Sequence, residues 1–132
     1  MQPILHLSLP VRDLGTSRDF YVEVLGCGLA RERPRFIDVW FYGLQLTLHE
    51  RPDEVLTPEA IDVRHFGVTL GRDDLAELLT RLEATDVEWA STVSTDFAGT
   101  PQEQTKAKIV DPSGNVIELK AYADPAAVFT LP

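Results

Sequence analysis

The sequence predicts an α+β fold made of two copies of one β-α-β-β-β module. A histidine opens a strand-like segment twice, at His6 and at His65, and each segment leads through an Arg-Asp turn into an amphipathic helical stretch. Runs rich in β-branched and aromatic residues then follow, as strands require. Two copies about 60 residues apart favour an internal duplication, because solenoids use shorter repeats and need about three of them.

Length and charge narrow the function classes. The chain has 132 residues, with 12 basic and 21 acidic side chains and a net charge of −9, and its hydrophobic content of 44% excludes a disordered chain. The acidic balance gives no attraction to phosphate backbones or anionic lipid, so nucleic acid and membranes are not expected partners. A single cysteine, Cys27, and an opening segment without a leader pattern predict a protein of the reducing cytoplasm. Any metal must then be held by histidine and carboxylate.

The first module, residues 1–50, is predicted to contain one strand, one helix and one hairpin. Alternation in its opening segment places His6 and Ser8 on one face of the strand. Thr16, three residues before Asp19, forms a variant of the capping box, so a helix is expected to begin there. The predicted strand spans residues 4–11, the helix ends at Gly26, and the hairpin joins residues 36–41 to 44–49 through a tight turn at Tyr42-Gly43.

The second module, residues 64–123, repeats this plan after a linker at residues 51–63 that is rich in proline and acidic residues. Asp74, with Glu77 three residues later, predicts the start of the second helix, whose leucines face inward. Residues 91–104 form a long irregular stretch, which is typical of functional loops, and we expect a substrate lid there. The predicted strands lie at 65–70, 87–90, 105–110 and 115–122, a turn lies at 111–114, and residues 124–132 form a tail.

Three residues form a candidate metal site. His6 and His65 hold the same position in the two modules, and Glu118 is a carboxylate inside an otherwise apolar strand. A buried carboxylate without a partner is costly, and a metal ion is one of the few partners that offset this cost. A single histidine near a strand end is more often satisfied or exposed than a ligand, but the repeat places two of them at equivalent positions. The sequence therefore favours a metal bound by His6, His65 and Glu118.

Several polar residues on the predicted strands have two interpretations. His49 shares a strand face with Gln45, and it is either a solvated strand end or a residue that faces a substrate. Gln45 lies between two leucines, and it either orients a water or substrate or is the outward residue of a half-buried strand. The same alternatives hold for Gln104, Lys106 and Lys108.

The segments that carry these residues resemble the vicinal oxygen chelate superfamily, which includes glyoxalase I, fosfomycin-resistance transferases, bleomycin-resistance proteins and extradiol dioxygenases. The resemblance implies paired modules that form a curled mixed sheet around a metal cleft, often in a homodimer. It also implies a divalent metal at the same three positions chosen above. The similar segments are His-Leu-Ser-Leu-Pro-Val from His6, Tyr21, Leu25-Gly26, and Asp-Pro-Ser-Gly-Asn-Val-Ile-Glu-Leu-Lys from Asp111.

More narrowly, the chain is similar to a small single-domain group identified as predicted extradiol-type dioxygenases. Two histidines and one carboxylate leave up to three positions open on an octahedral ion, enough for a bidentate substrate and dioxygen. The resemblance thus implies an oxygenase with iron(II) or manganese(II) that acts on a small catechol-like or hydroxy-carbonyl compound. His49 and Gln45 are the expected acid, base or orienting groups. The segments similar to this group are residues 36–49, 65–68 and 99–104.

Other chemistries of the superfamily remain alternatives. A glyoxalase-like isomerase or lyase, with nickel(II) or zinc(II), resembles a case with one more carboxylate on the hairpin strand, where this chain has Gln45, Thr47 and His49. A fosfomycin-type transferase needs a cationic pocket for phosphonate, and the net charge of −9 gives no sign of a lysine and arginine cluster. A metal-free drug-binding protein of the bleomycin-resistance type fits an acidic groove, but it leaves the two histidines and Glu118 without a role.

Overall fold

Eight strands form two four-stranded mixed sheets in the computed structural model, which describes residues 1–129. The first sheet is built from β1 (His6–Val11), β2 (Gly28–Arg33), β3 (Phe36–Phe41) and β4 (Leu44–Glu50). The second is built from β5 (Phe66–Thr69), β6 (Glu88–Asp96), β7 (Gln104–Val110) and β8 (Val116–Tyr122). The helices are α1 (Leu14–Arg18), α2 (Pro58–Ile61) and α3 (Arg72–Glu83), with a π-helical turn at Asp19–Val24 and 3-10 turns at Pro52–Glu54 and Pro125–Phe129.

Both sheets have the same topology, which confirms the predicted α+β fold with two βαβββ modules. The strand order is β1-β4-β3-β2 in the first sheet and β5-β8-β7-β6 in the second. In each sheet the opening strand lies at an edge and runs parallel to the last strand of its module, while the other neighbours are antiparallel. Each opening histidine is therefore placed at the start of an edge strand, next to the last strand of its own module.

The chain divides into two compact units. Among the described residues, the first comprises Met1–Asp62 together with Asp111–Asn115, and the second comprises Val63–Val110 and residues 116–129. The turn between β7 and β8 thus belongs with the first unit. The module limits drawn from the sequence at 1–50, 51–63 and 64–123 stay predictions, and the last three residues of the predicted tail at 124–132 lie outside the described residues.

Hydrogen bonds hold this turn inside the first unit. The buried Asp111 carboxylate accepts bonds from the main-chain amides of Ser113 (2.8 Å) and Asn115 (2.9 Å) and from the Tyr21 hydroxyl (2.7 Å). Burial raises the pKa of Asp111, although these bonds and the Asn115 side chain oppose the shift. The buried carboxylate is thus fully hydrogen-bonded, which fixes the shape of the turn.

Two turns depend on left-handed backbone. Tyr42 and Gly43 have φ values of 48° and 86° and form the two-residue connection between β3 and β4. Gly114 has a φ of 90°, and a Cβ there would also collide with the main-chain oxygen of Leu56. The predicted turns at 42–43 and 111–114 are both confirmed.

Two helix starts differ from the prediction. α1 begins after Asp13, whose carboxylate accepts a hydrogen bond of 2.7 Å from the Thr16 amide. The Thr16 hydroxyl donates to the same carboxylate, so the expected capping box with Asp19 is wrong. α3 begins after Gly71 without a side-chain cap. Asp74 lies inside its first turn, where a negative charge interacts favourably with the helix dipole. The inward leucines of α3 are confirmed, since Leu75, Leu78, Leu79 and Leu82 are buried.

The irregular stretch before β7 is shorter than expected. β6 continues to Asp96 and pairs with β7, with register shifts on either side of Ser91. The expected lid at 91–104 is therefore wrong for its first half, because β-branched residues continue the strand there. Residues 97–103 separate the two strands, and Phe97 among them is exposed with a φ of 54°.

Each unit buries apolar residues of its own sheet and helices. The core of the first includes Val11, Tyr21, Leu46 and Leu48, and that of the second includes Leu82, Ala107, Ile117 and Leu119. Within residues 1–129, none of the helices combines the length and the apolar character that a membrane span requires.

Candidate metal centre

The second unit brings two of the predicted metal ligands together. The Nε2 atom of His65 lies 2.8 Å from Oε2 of Glu118. His65 directly precedes β5, and Glu118 lies on β8, the parallel neighbour of β5. The 2.8 Å contact has the length of a hydrogen-bonded ion pair when His65 is protonated, and it is also close to the distance of about 3 Å between two donors that bind one ion at about 2.1 Å and at a right angle. These two side chains are named the His65–Glu118 pair below.

The main chain fixes the other ring nitrogen of His65. Nδ1 lies 2.7 Å from the carbonyl oxygen of Val63. A carbonyl oxygen only accepts hydrogen bonds, so Nδ1 donates, and the 2.8 Å contact between Nε2 and the carboxylate needs a second proton or a metal ion between the two atoms. Metal-binding histidines commonly donate their second N–H to a carbonyl or carboxylate, which sets the tautomer and the ring orientation. His65 therefore has the hydrogen bonding of a metal ligand.

Glu118 is mostly buried, and its two oxygens have different partners. Its side chain is 12% exposed, Oε2 faces His65, and Oε1 lies 3.2 Å from Nζ of Lys120. Burial opposes ionisation, but the hydrogen bond and charge of Lys120 and the charges of His65 and Lys108 outweigh it, so the pKa of Glu118 lies below its usual value. The expectation of a lone carboxylate is wrong, because neighbouring cations keep Glu118 in the ionised form that a metal requires.

Gly67 allows β5 to lie close to β8. It pairs with Glu118 in the parallel register, and a Cβ at this position would collide with the main-chain oxygen of Glu118. Glycine is the residue that permits such a close approach of two backbones. The glycine two positions after His65 therefore keeps the histidine within reach of Glu118.

A small pocket lies beside the pair. Its volume is about 230 Å³, and its polar lining comes from His65, Thr69, Glu118 and Lys120. Pockets for drug-sized ligands begin at about 300 Å³, so this one suits a smaller molecule. The polar side chains favour a ligand that carries oxygen atoms.

In the first unit, His6 is held in a similar way. Its Nδ1 lies 3.2 Å from the carbonyl oxygen of Gln45, the residue opposite it on β4, and its Nε2 lies 3.3 Å from Oγ of Ser8. The carbonyl again requires the proton on Nδ1, so Nε2 keeps its lone pair and accepts from the Ser8 hydroxyl. The nitrogen that would bind a metal is thus the same one in His6 and His65.

The complete ligand set stays a prediction. His6 belongs to the first unit, whereas His65 and Glu118 belong to the second. In the part of the chain that the structure describes, no group of three or more His, Cys, Asp or Glu side chains gathers at one place to hold a metal ion. The structure therefore supports two parts of the predicted site: the closeness of His65 and Glu118, and the orientation of the His6 ring.

The two predicted catalytic residues lie on β4. Gln45 pairs with His6 on β1, and its side chain hydrogen-bonds to Asp38. His49 pairs with Phe36, and the two rings pack with their centroids 5.6 Å apart. Gln45 thus orients His6 through its main-chain carbonyl, whereas His49 contacts an aromatic ring. The catalytic roles of both residues stay predictions.

A buried carboxylate in the first unit was missed by the sequence reasoning. Asp38 on β3 lies 2.6 Å from the Thr47 hydroxyl and 2.8 Å from Nε of Arg31. Burial opposes its ionisation, but hydrogen bonds from Thr47, Arg31 and Gln45 and the charge of Arg31 hold the pKa of Asp38 below its usual value. The signal was present, because Asp38 interrupts an apolar strand as Glu118 does.

All three lysines of the sequence lie on one face of the second sheet, and Lys106, Lys108 and Lys120 are named the lysine cluster below. Lys106 pairs with Lys120 across β7 and β8, and Lys108 pairs with Glu118 in the same way. The expectation that the chain has no cationic cluster is wrong. Net charge averages over the whole chain, and it does not report which residues the sheet register gathers.

A protein-family model described as the Glyoxalase/Bleomycin resistance protein/Dioxygenase superfamily matches residues 3–119. Among curated proteins, the chain is 27% identical over 127 residues to "Glutathione transferase FosA" of Serratia marcescens, and the match covers 90% of this chain and 80% of that protein. The family match thus spans both units.

Two solved structures are similar over nearly the whole chain. A glyoxalase/bleomycin resistance protein/dioxygenase from Alicyclobacillus acidocaldarius is 33% identical, with a TM-score of 0.85 and 95% of each chain covered. The fosfomycin resistance protein FosX from Listeria monocytogenes is 16% identical, with a TM-score of 0.75 and coverage of 92% of this chain and 93% of the other. The second likeness shows the fold alone.

Proposed function

The chain belongs to the glyoxalase/bleomycin resistance protein/dioxygenase superfamily, whose members commonly use divalent metals, and from this premise we propose that it is a metal-dependent enzyme. The proposed substrate is a small molecule with two adjacent oxygen atoms, and the proposed reaction is an extradiol-type dioxygenation. The proposed metal is iron(II) or manganese(II), held by His6, His65 and Glu118.

The His65–Glu118 pair is the observation that carries this proposal. Its two donor atoms lie 2.8 Å apart, and nearby cations favour the ionised carboxylate. The Val63 carbonyl holds the proton on Nδ1 of His65, which directs Nε2 toward the carboxylate. A pocket beside the pair gives a small oxygen-bearing ligand access to both side chains.

The chain's own residues have distinct tasks in the proposed reaction. A bound metal would supply a Lewis acid that lowers the pKa of a substrate hydroxyl. His6 and His65 would contribute Nε2, while the carbonyls of Gln45 and Val63 keep both rings oriented. His49 is the proposed base that accepts the substrate's hydroxyl proton at a ring nitrogen. Gln45 is a positioning residue, because its carbonyl holds His6.

We further propose that the protein works as a homodimer in the cytoplasm. His6 belongs to a different unit from the His65–Glu118 pair, so the third ligand is supplied either by the same chain or by a second copy. Mixing two inactive variants, His6→Ala and Glu118→Ala, distinguishes these cases. Recovery of part of the metal content after mixing indicates that ligands come from two copies, and no recovery indicates one chain.

Metal content is the first test of the proposal. The protein is purified under argon without chelators, beside His6→Ala, Glu118→Ala and the control His49→Ala. We expect about one equivalent of iron or manganese in the wild type and in the control, and at least about tenfold less in the two ligand variants. Circular dichroism checks that all variants are folded. Full metal content in both ligand variants would contradict the ligand set.

Oxygen uptake tests the reaction itself. With catechol as substrate, we expect uptake that requires iron(II) or manganese(II) and that Glu118→Ala abolishes. Uptake that persists in this folded variant would refute the assigned role of Glu118. Stoichiometric nickel or zinc without oxygen uptake would favour the isomerase or lyase alternative. A protein that takes up no metal even after reconstitution would instead be a binding protein of this fold.

Glutathione transfer of the FosA type is the second candidate function. The lysine cluster beside Glu118 favours it, since a phosphonate group is anionic, and the relative named glutathione transferase FosA is 27% identical. Incubation with manganese, glutathione and fosfomycin, followed by mass spectrometry, tests this candidate. An adduct that depends on Glu118 would place transfer ahead of dioxygenation, and oxygen uptake without an adduct would do the reverse.

A further inference from the structure

We propose that the edge strand β2 binds an extended acidic segment of another protein, which adds to the first sheet as a further strand. Arg31 and Arg33 on β2 would contact two carboxylates of that segment. The inference goes beyond the proposed function, because none of the predicted metal ligands takes part in it. It rests on the position of β2, on the register of its side chains and on their charge.

β2 lies at the border of the first sheet. The strand order β1-β4-β3-β2 gives it one neighbour, β3, within residues 1–129, and five of its six residues are exposed. The main-chain groups on the outer side of an edge strand can pair with an added strand. Among the other edge strands, β5 has only four residues and β1 contains Pro10, which has no N–H donor. β6 has an acidic residue at each end and no cation, so β2 is the edge that carries arginine.

An irregularity in β2 brings its two arginines to one face. The register of β2 with β3 shifts by one residue between Leu29 and Glu32. Because of this shift, Arg33 and not Glu32 lies opposite Phe36, and directly opposite residues share a face of the sheet. Arg31 reaches the same face, since its guanidinium lies over the Phe36 ring at 5.0 Å. β-Bulges often redirect side chains in this way and are features that a sequence keeps for a purpose.

The two arginines have one carboxylate between them. Nε of Arg31 lies 2.8 Å from Oδ2 of Asp38, whereas Arg33 donates to the main-chain carbonyl of Glu32 at 2.8 Å. The Glu32 carboxylate instead lies 3.2 Å from Nε of Arg18 on α1. In the part of the chain that the structure describes, Arg33 forms no ion pair. This uncompensated cation on a chain with a net charge of −9 favours an anionic partner.

The charge pattern of β2 argues against a second copy of the same strand as the partner. Antiparallel pairing of two β2 strands about Glu32 would place Glu32 opposite Glu32 and each Arg31 opposite an Arg33. Parallel pairing in register would also place like charges opposite each other, and such pairs destabilise a sheet. A segment with two carboxylates two residues apart would instead meet both arginines on one face.

Aromatic rings beside the arginines suit a protein partner. Phe36 packs against His49 with the ring centroids 5.6 Å apart, and Arg31 covers Phe36 while it is held by Asp38. A guanidinium that is already held by a ring and a carboxylate loses less side-chain entropy when it binds a partner. Arginine and aromatic side chains are also enriched in the surfaces through which proteins bind one another.

Binding of a synthetic peptide tests the inference. The probe is the acetylated and amidated peptide Thr-Glu-Val-Glu-Val-Thr, and the control peptide has glutamine in place of both glutamates. The full-length wild type is compared by calorimetry with Arg33→Gln and with the matched control Arg81→Gln, which removes one exposed positive charge from α3. We expect the Kd of the acidic peptide to rise about fivefold or more in Arg33→Gln, to stay unchanged in Arg81→Gln, and to rise with added salt.

Hydrogen exchange tests whether the peptide adds as a strand. Main-chain amides of β2 should exchange more slowly in the complex than in the free protein, because the added strand pairs with them. Unchanged exchange in β2 despite binding would overturn strand addition. The metal content of Arg33→Gln should equal that of the wild type, so this test is independent of the proposed metal site.

The other outcomes also decide for or against the inference. Absence of binding of the acidic peptide at about 1 mM would overturn it. Equal Kd values for the acidic and the control peptide, or for the wild type and Arg33→Gln, would do the same, and the arginines would then only protect the edge of the sheet. Arg31→Gln repeats the test should Arg33→Gln fail to fold.

Discussion

Each sheet carries a row of paired residues two positions beyond its opening histidine, and the two rows differ in chemistry. In the first sheet the row holds a hydroxyl on β4 and a carboxylate on β3. In the second sheet it holds the carboxylate on β8, the strand that corresponds to β4, and a lysine on β7. The rows are Ser8, Thr47 and Asp38 in the first sheet and Gly67, Glu118 and Lys108 in the second.

The difference separates a structural carboxylate from one that can bind a ligand. Asp38 is enclosed by Arg31, Thr47 and Gln45, so its hydrogen-bonding capacity is used inside the first unit. Glu118 instead shares one oxygen with a histidine and borders a pocket. The two modules share one topology, but the carboxylate lies on β3 in the first and on β8, the counterpart of β4, in the second. The same scaffold supports an internal ion pair in one module and a candidate metal ligand in the other.

Substitution of the glycine in the second row is expected to have the largest effect on stability. Gly67→Ala would place a Cβ against the main-chain oxygen of Glu118 and force β5 away from β8. We expect a loss of about 3 kcal/mol in the free energy of unfolding, measured by urea denaturation, together with weaker metal binding.

Ser8→Ala is the matched control in the first row. Ser8 already carries a Cβ, and the variant removes only the hydrogen bond from its hydroxyl to His6. We expect a loss of less than about 1 kcal/mol because that bond is exposed. Equal losses in Gly67→Ala and Ser8→Ala would show that the close approach of β5 and β8 does not distinguish the two rows.

The structural role of Asp38 predicts the next largest effect. Asp38→Asn keeps the shape of the side chain but removes the negative charge of the carboxylate, whose oxygens accept hydrogen bonds from Arg31 and from the Thr47 hydroxyl. We expect a loss of about 2 kcal/mol in the free energy of unfolding at pH 7, because the buried hydrogen bonds to a charged group are weakened. Metal content should stay at the wild-type level.

The effect of Asp38→Asn depends on pH in a stated direction. The pKa of Asp38 lies below its usual value in the folded protein, so its stabilisation is present above the unfolded pKa of about 3.9 and is lost as pH falls through the folded value. The stability gap between wild type and variant should therefore narrow below about pH 4. A gap that stays constant down to pH 2.5, about one and a half units below the unfolded pKa, would contradict this assignment.

Glu118→Gln is expected to have the opposite effects to Asp38→Asn, with a smaller loss of stability and a large loss of bound metal. Its partners Lys120 and His65 are each about 30% exposed, so solvent compensates for part of the lost attraction. We expect about 1 kcal/mol of lost stability but a nearly complete loss of bound metal, measured by elemental analysis. A variant that loses more stability than Asp38→Asn and keeps its metal would identify Glu118 as the structural carboxylate.

The repeat, the strands and the candidate ligands follow from local patterns in the sequence. Histidine-headed strands, a hairpin at Tyr42-Gly43 and a carboxylate in an apolar strand are visible without a structure. The local signals failed where a nearby residue or a partner strand competes with them. Thr16 lost its capping role because Asp13 is a better acceptor at the helix start, and β6 continues because β7 offers it a hydrogen-bonding partner.

Other features depend on register, which composition does not contain. β2 (Gly28–Arg33) is a mostly exposed edge strand with three charged residues. No alternation of apolar residues in the sequence therefore indicates that it pairs with β3. The lysine cluster joins positions from two strands that are separated by the 111–115 turn. The net charge of −9 could not indicate this cluster, because the pairing of strands in the sheet, and not the composition, decides which charged residues become neighbours.

The smallest expected effect concerns the cation that faces Asp38. Arg31 is 51% exposed and also packs over the Phe36 ring at 5.0 Å, whereas Asp38 is 3% exposed. Arg31→Gln should therefore cost less than about 1 kcal/mol, because solvent screens the arginine and the Thr47 hydroxyl still donates to the carboxylate. The loss should shrink further in 1 M salt, where the Debye length is about 3 Å. A loss as large as that of Asp38→Asn would mean that Arg31, rather than the hydroxyl and amide around it, keeps the carboxylate of the first sheet ionised and unavailable to a ligand.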